Sequence, residues 1–143
     1  MKKRLLILLW TALLSIVQLT GCLLISEEPY TFCQEADQII SIEIVQDFAP
    51  TFEESDYRVV QTLEADEFQV LLDEVLDVPG NRTGMDPPTG IGNYIIKITY
   101  KDGTIELLGD FNNGYISPDG KLRQDCYVFD REAFLALISK FTD

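Results

Sequence analysis

Residues 93–129 read as a meander, short strand-like runs broken repeatedly by glycine-containing turns, a pattern that an antiparallel sheet satisfies and a helix does not. Residues 93–100 put Tyr94, Ile96, Ile98 and Tyr100 on one face. Asp102-Gly103 has the preference of a two-residue hairpin turn, and residues 104–108 make the return strand. Asn113-Gly114 and Pro118-Asp119-Gly120 are expected as two more turns, bounding a short strand at 115–117 and a longer one at 122–129.

Two further strands precede this meander. Residues 39–45 are β-branched, with Ile40, Ile42 and Ile44 on one face, and residues 57–63 pair back after a turn-rich stretch holding Pro50. The period then changes to helical from residue 65: Phe68, Leu71, Leu72, Val75 and Leu76 form one stripe, with Asp66 and Glu67 in the first turn, where a helix dipole favours acids. A second stripe, Phe134, Leu137, Ile138 and Phe141, follows Asp130 as N-cap, with Glu132 early and Lys140 late. The expected fold class is α+β: an antiparallel sheet of about six strands with two helices on one face, in the order β-β-α-β-β-β-β-α, after an N-terminal signal helix.

Charge and composition narrow the function. Eleven basic residues against 24 acidic ones give a formal charge of −13, which repels nucleic acid and anionic lipid. The chain contains no histidine, so imidazole-assisted nucleophiles and His-containing zinc sites are excluded. Asp110-Phe111-Asn112-Asn113-Gly114 places oxygen donors at alternate positions, as a calcium loop does, but glycine falls one place early and Lys121 stands where the bidentate acid belongs. No metal and no cofactor is expected, and no pair of carboxylates is singled out for catalysis.

Lys2, Lys3 and Arg4 form a basic flank before an apolar run at 5–17 in which only Thr11 and Ser15 are polar. This is the layout of an export signal. Directly after it stands Leu19-Thr20-Gly21-Cys22. The tetrapeptide resembles a bacterial lipobox, and the resemblance implies that Cys22 receives a diacylglycerol, that the chain is cut before it, and that the domain sits on the extracytoplasmic face of a cell membrane. Two acyl chains hold a protein durably where one does not. The competing reading is an uncleaved helix over 5–25, weakened by Gln18, Thr20 and Gly21. Residues 1–21 hold three of the basic residues and none of the acidic ones, so the remainder carries −16.

The expected organisation is a signal peptide at 1–21, a lipidated cysteine and tether at 22–37, and a single domain at 38–143. Cys33 and Cys126 then remain as an even pair in a compartment that permits disulfides, with a buried inert thiol at Cys126 as the competing reading. Residues 79–92 hold four glycines and three prolines and carry no period. A loop of this kind is the first place to expect a contact surface, with Arg82, Met85, Asp86, Pro87 and Pro88 as its candidate residues. Tyr94, Tyr100, Tyr115 and Tyr127 are either core or a contact platform. In general pattern, the part after Cys22 also resembles the small lipoprotein domains of Gram-positive bacteria, which implies neither an activity nor a site residue. The expectation is a lipid-anchored domain that binds a protein or small ligand at the cell envelope without catalysis. A small carboxylate enzyme and a purely structural envelope component are the alternatives.

Overall fold

The computed structural model describes residues 29–46, 57–82, 94–110 and 113–142. Cys22, the signal segment, and Met85, Asp86, Pro87 and Pro88 of the candidate loop lie outside the described residues. The elements are β1 (Ile39–Gln46), β2 (Arg58–Thr62), α1 (Phe68–Leu76), β3 (Gly80–Arg82), β4 (Tyr94–Tyr100), β5 (Ile105–Gly109), β6 (Asn113–Ile116), β7 (Leu122–Asp125), β8 (Tyr127–Phe129) and α2 (Arg131–Thr142). Six strands form an antiparallel sheet in the order β2-β1-β4-β5-β6-β7, and β3 pairs with β8 in a second sheet of two. The fold is α+β.

Both helices pack on one face of the large sheet. Leu71, Leu72 and Val75 of α1 and Phe134, Leu137 and Ile138 of α2 join Ile42, Ile44, Ile96, Ile98 and Leu108 in one core. Asp130 caps α2 through its Oδ1, which accepts from the Ala133 amide at 2.9 Å. α1 begins one residue after Glu67, whose side chain accepts from the Glu64 amide at 2.8 Å, so the two acids expected in its first turn form the turn before it. The opposite face carries a smaller cluster of Val45, Ile95 and Leu107, flanked by Tyr57, Ile105 and Ile116. Beside it the Lys97 ammonium donates to Tyr57 Oη at 2.7 Å and Glu43 Oε2 at 3.1 Å. Burial pulls the Lys97 pKa down, and its hydrogen bonds to Tyr57 and Glu43 more than offset this, leaving it raised.

Several local expectations change. β1 shifts register between Ile39 and Ser41, which turns Ile39 into the core and leaves Ile40 58% exposed, so Ile40 does not share the face of Ile42 and Ile44. Asn113-Gly114 is part of strand β6 and not a turn. The buried Asn113 side chain accepts from the Gly109 amide at 2.8 Å and donates to the Tyr127 carbonyl at 2.7 Å, bonds that secure the strand from inside. The long strand expected at 122–129 breaks at Cys126, because Asp125 Oδ1 accepts from the Tyr127 amide and the chain leaves the large sheet to pair with β3. Residues 80–82, expected to be irregular, form β3.

Gly114 is required by proximity. A Cβ there would lie 2.5 Å from the Arg123 carbonyl oxygen on β7, a backbone atom that cannot swing aside. Gly120, at φ +78°, has open space around its missing Cβ. Gly114→Ala is therefore expected to cost on the order of 2–3 kcal/mol by overpacking, and Gly120→Ala about 1 kcal/mol from its left-handed backbone alone. Urea denaturation of the two variants checks the order, and equal midpoints would refute the close approach.

Candidate functional site

Residues 29–37, expected as tether, are folded. Tyr30 is only 5% exposed and its ring meets Phe32, Tyr127 and Phe129 at centroid distances of 5.3, 5.1 and 5.3 Å. The domain therefore reaches back at least to Pro29, before the boundary expected near Gln38. The segment packs on the core with alternate residues inward, bends at Cys33 and Gln34, and closes in a 3-10 turn at Ala36–Gln38.

What fastens it is Glu106, a wholly buried acid on the core face of β5 opposite Ile98. Tyr30 Oη donates to Glu106 Oε1 at 2.6 Å, Tyr100 Oη donates to Oε2, and the Cys33 amide donates to both oxygens at 3.1 and 3.2 Å. A buried acid is tolerated only when its lone pairs are taken up in this way. Burial, and then the Glu106 charge, push both phenols far above the ordinary tyrosine range. The same two causes, in the same order, push the Cys33 thiol up to about 12.

Among the described residues Asp110 is the other buried acid, 2% exposed and four residues along from Glu106. Arg131 Nε lies 3.1 Å from its Oδ2 as an ion pair, yet among the described residues neither oxygen has a hydrogen-bond partner. Burial raises the Asp110 pKa, and the attraction of Arg131 offsets only part of the shift. A carboxyl whose folded pKa is raised stabilises the fold below its unfolded value and loses that contribution as pH rises through the folded one. Asp110→Asn is accordingly expected to leave stability at pH 7 unchanged or higher by urea denaturation. A loss above about 1.5 kcal/mol would mean that the Arg131 pair outweighs burial.

Between residues 30–38 and α1 runs an open groove of about 660 Å³, within the range of ligand sites. Its apolar floor includes Phe32, Leu72 and Leu76, the last 45% exposed, and its polar walls include Gln34, Gln38 and Gln69. A second depression of about 380 Å³ lies on the far side of Leu76, against Pro79, Gly80 and Tyr127. Neither Glu106 nor Asp110 lines either one.

The candidate residues from the sequence are thus scattered. Cys33 lines the groove and is exposed, Cys126 is half-buried, and the two are unbridged. Arg82 sits on β3, paired with Asp125 Oδ1 at 2.7 Å and 5.9 Å from the centre of the Tyr127 ring. Tyr100 and Tyr127 are core residues, while Tyr94 and Tyr115 are half-buried. Sequence reasoning missed Glu106 and Tyr30, and a signal for each was present. Thr104, Glu106 and Leu108 alternate, which puts an acid on an apolar face, and Tyr30 and Phe32 have strand spacing. Among the described residues no group of three His, Cys, Asp or Glu side chains converges to hold a metal, and no helix is long and apolar enough to cross a membrane. No protein-family model, curated protein or solved structure matches the chain.

Proposed function

We propose that the chain is a bacterial lipoprotein, held on the extracytoplasmic face of a cell membrane by a diacylglyceryl Cys22, and that its domain acts by binding a protein or small ligand of the envelope without catalysis. The observation that carries the binding reading is the open groove beside α1, in which Leu76 is exposed beside Phe32 and Leu72. The two buried acids support it from the other side, since both Glu106 oxygens are occupied by structural hydrogen bonds and Asp110 lies away from the groove. The anchor rests on Leu19-Thr20-Gly21-Cys22 after the basic and apolar signal segment.

Intact mass of the membrane-extracted protein tests the anchor. The expected mass is that of residues 22–143 plus diacylglycerol, and Cys22→Ala should retain the signal segment and gain no lipid. A Cys22→Ala protein with the same mature, lipid-bearing mass as the parent would overturn the reading.

A further inference from the structure

The polar walls of the groove are backed by acids. Each of its three glutamines donates one amide hydrogen to a neighbouring carboxylate: Gln34 Nε2 to Asp102 Oδ2 at 2.7 Å, Gln38 Nε2 to Asp37 Oδ1 at 3.0 Å, and Gln69 Nε2 to Asp73 Oδ1 at 2.8 Å. These carboxylates place negative charge directly behind the walls. Glu35, exposed at the rim, adds another acid. Among the described residues no lysine or arginine lines the groove. Lys101, whose backbone amide donates to the Gln38 carbonyl at 2.8 Å, turns its ammonium to the Asp37 carbonyl at 2.5 Å and is not itself a lining residue.

An apolar floor between acceptor walls, in a domain left at −16 once residues 1–21 are removed, complements one kind of occupant. We propose that the groove docks a cationic, amphipathic polypeptide segment of a partner protein, with apolar side chains on Phe32, Leu72 and Leu76 and lysine or arginine groups reaching the glutamine oxygens and Glu35. The inference rests on the binding reading above and gives it a partner chemistry. Lysine and arginine carry positive charge and donors only, so they fit walls that hold Glu35, amide oxygens and backing carboxylates and, among the described residues, no cation.

The test uses the full-length protein in non-ionic detergent and three fluorescein-labelled heptapeptides, capped at both ends, in which leucine alternates with lysine, glutamine or glutamate. Binding is read by anisotropy against detergent alone. The lysine peptide is expected to bind at least tenfold tighter than the glutamine peptide at 50 mM salt, to weaken at 300 mM, and to exceed the glutamate peptide by more. Glu35→Lys combined with Gln69→Lys, two exposed positions, is expected to weaken the lysine peptide at least tenfold. Glu132→Lys, a charge reversal on α2 away from the groove, should change it less than twofold. Equal binding of the lysine and glutamine peptides, lost on Leu76→Asp, would overturn the cationic inference and leave the binding reading standing. Failure of all three peptides, or equal effects of the groove and α2 reversals, would overturn the inference as well, while the lipid mass judges the anchor independently.

Discussion

Glu106→Ala is expected to lower the unfolding free energy by about 3–5 kcal/mol, because it strands two buried hydroxyls and an amide and leaves a cavity at the centre of the core. Three donors converge on this one group: Tyr30 Oη, Tyr100 Oη and the Cys33 amide. Two of them belong to the segment at 29–37, so the loss should be local as well as global. Hydrogen exchange at the Cys33 amide is expected to accelerate more than exchange in β1 or β4. Glu106→Gln keeps the shape and one good acceptor and should recover about half of the loss. Combining Glu106→Leu with Tyr30→Phe and Tyr100→Phe should also cost less than Glu106→Ala, since replacing a buried polar group together with its partners removes the unmet bonds. A Glu106→Ala variant within about 1 kcal/mol of the parent in urea would show that the cluster is not what fastens the segment.

Raising the pH above 10 is expected to unfold the protein steeply. An unfolded tyrosine ionises near its ordinary value of about 10, whereas in the folded protein Tyr30 and Tyr100 are buried against Glu106 and resist ionisation. Above pH 10 the unfolded chain therefore releases two protons that the folded one retains. The share of stability from these two phenols is complete below pH 10 and falls at about 2.7 kcal/mol per pH unit above it, reaching a loss of roughly 3 kcal/mol by pH 11, and the raised Tyr127 and Lys97 steepen the fall. Cys33 acts in the same direction from its own lower starting point. Urea midpoints between pH 8 and 11 measure the slope, and absorbance at 295 nm shows when the phenols ionise. The last tyrosines should titrate with unfolding and not before it, and Tyr100→Phe should take about 1.4 kcal/mol per pH unit off the slope. A flat profile to pH 11 would contradict the burial of both hydroxyls.

The two helices and the hairpin turns at Asp102-Gly103 and Pro118-Asp119-Gly120 were legible in the sequence because periodicity and turn chemistry act locally. The departures are tertiary. Asn113-Gly114 has the chemistry of a turn, but a buried side chain with two partners and a neighbouring strand 2.5 Å from the absent Cβ hold it in β6. Ile40 left the core through a register shift that no alternation rule encodes. The groove was invisible for a different reason: it forms where residues 30–38 lie against α1, two stretches about thirty residues apart whose meeting depends on Glu106 far down the chain. Of the candidate loop only Arg82 could be placed, and its partners are Asp125 and Tyr127 within the fold.

The docking of residues 29–37 also sets a leash length. With lipid on Cys22, as proposed, residues 23–28 are the stretch of sequence between the anchor and Pro29, where the described fold begins. Their contour is at most about 20 Å, against about 50 Å for a free chain running to Asp37. The volume swept by the domain shrinks roughly fifteenfold, and a partner resident at the same membrane meets it at a correspondingly higher local concentration. With the anchor as proposed, Glu106, deep in the core, would set how far from the membrane the domain can search.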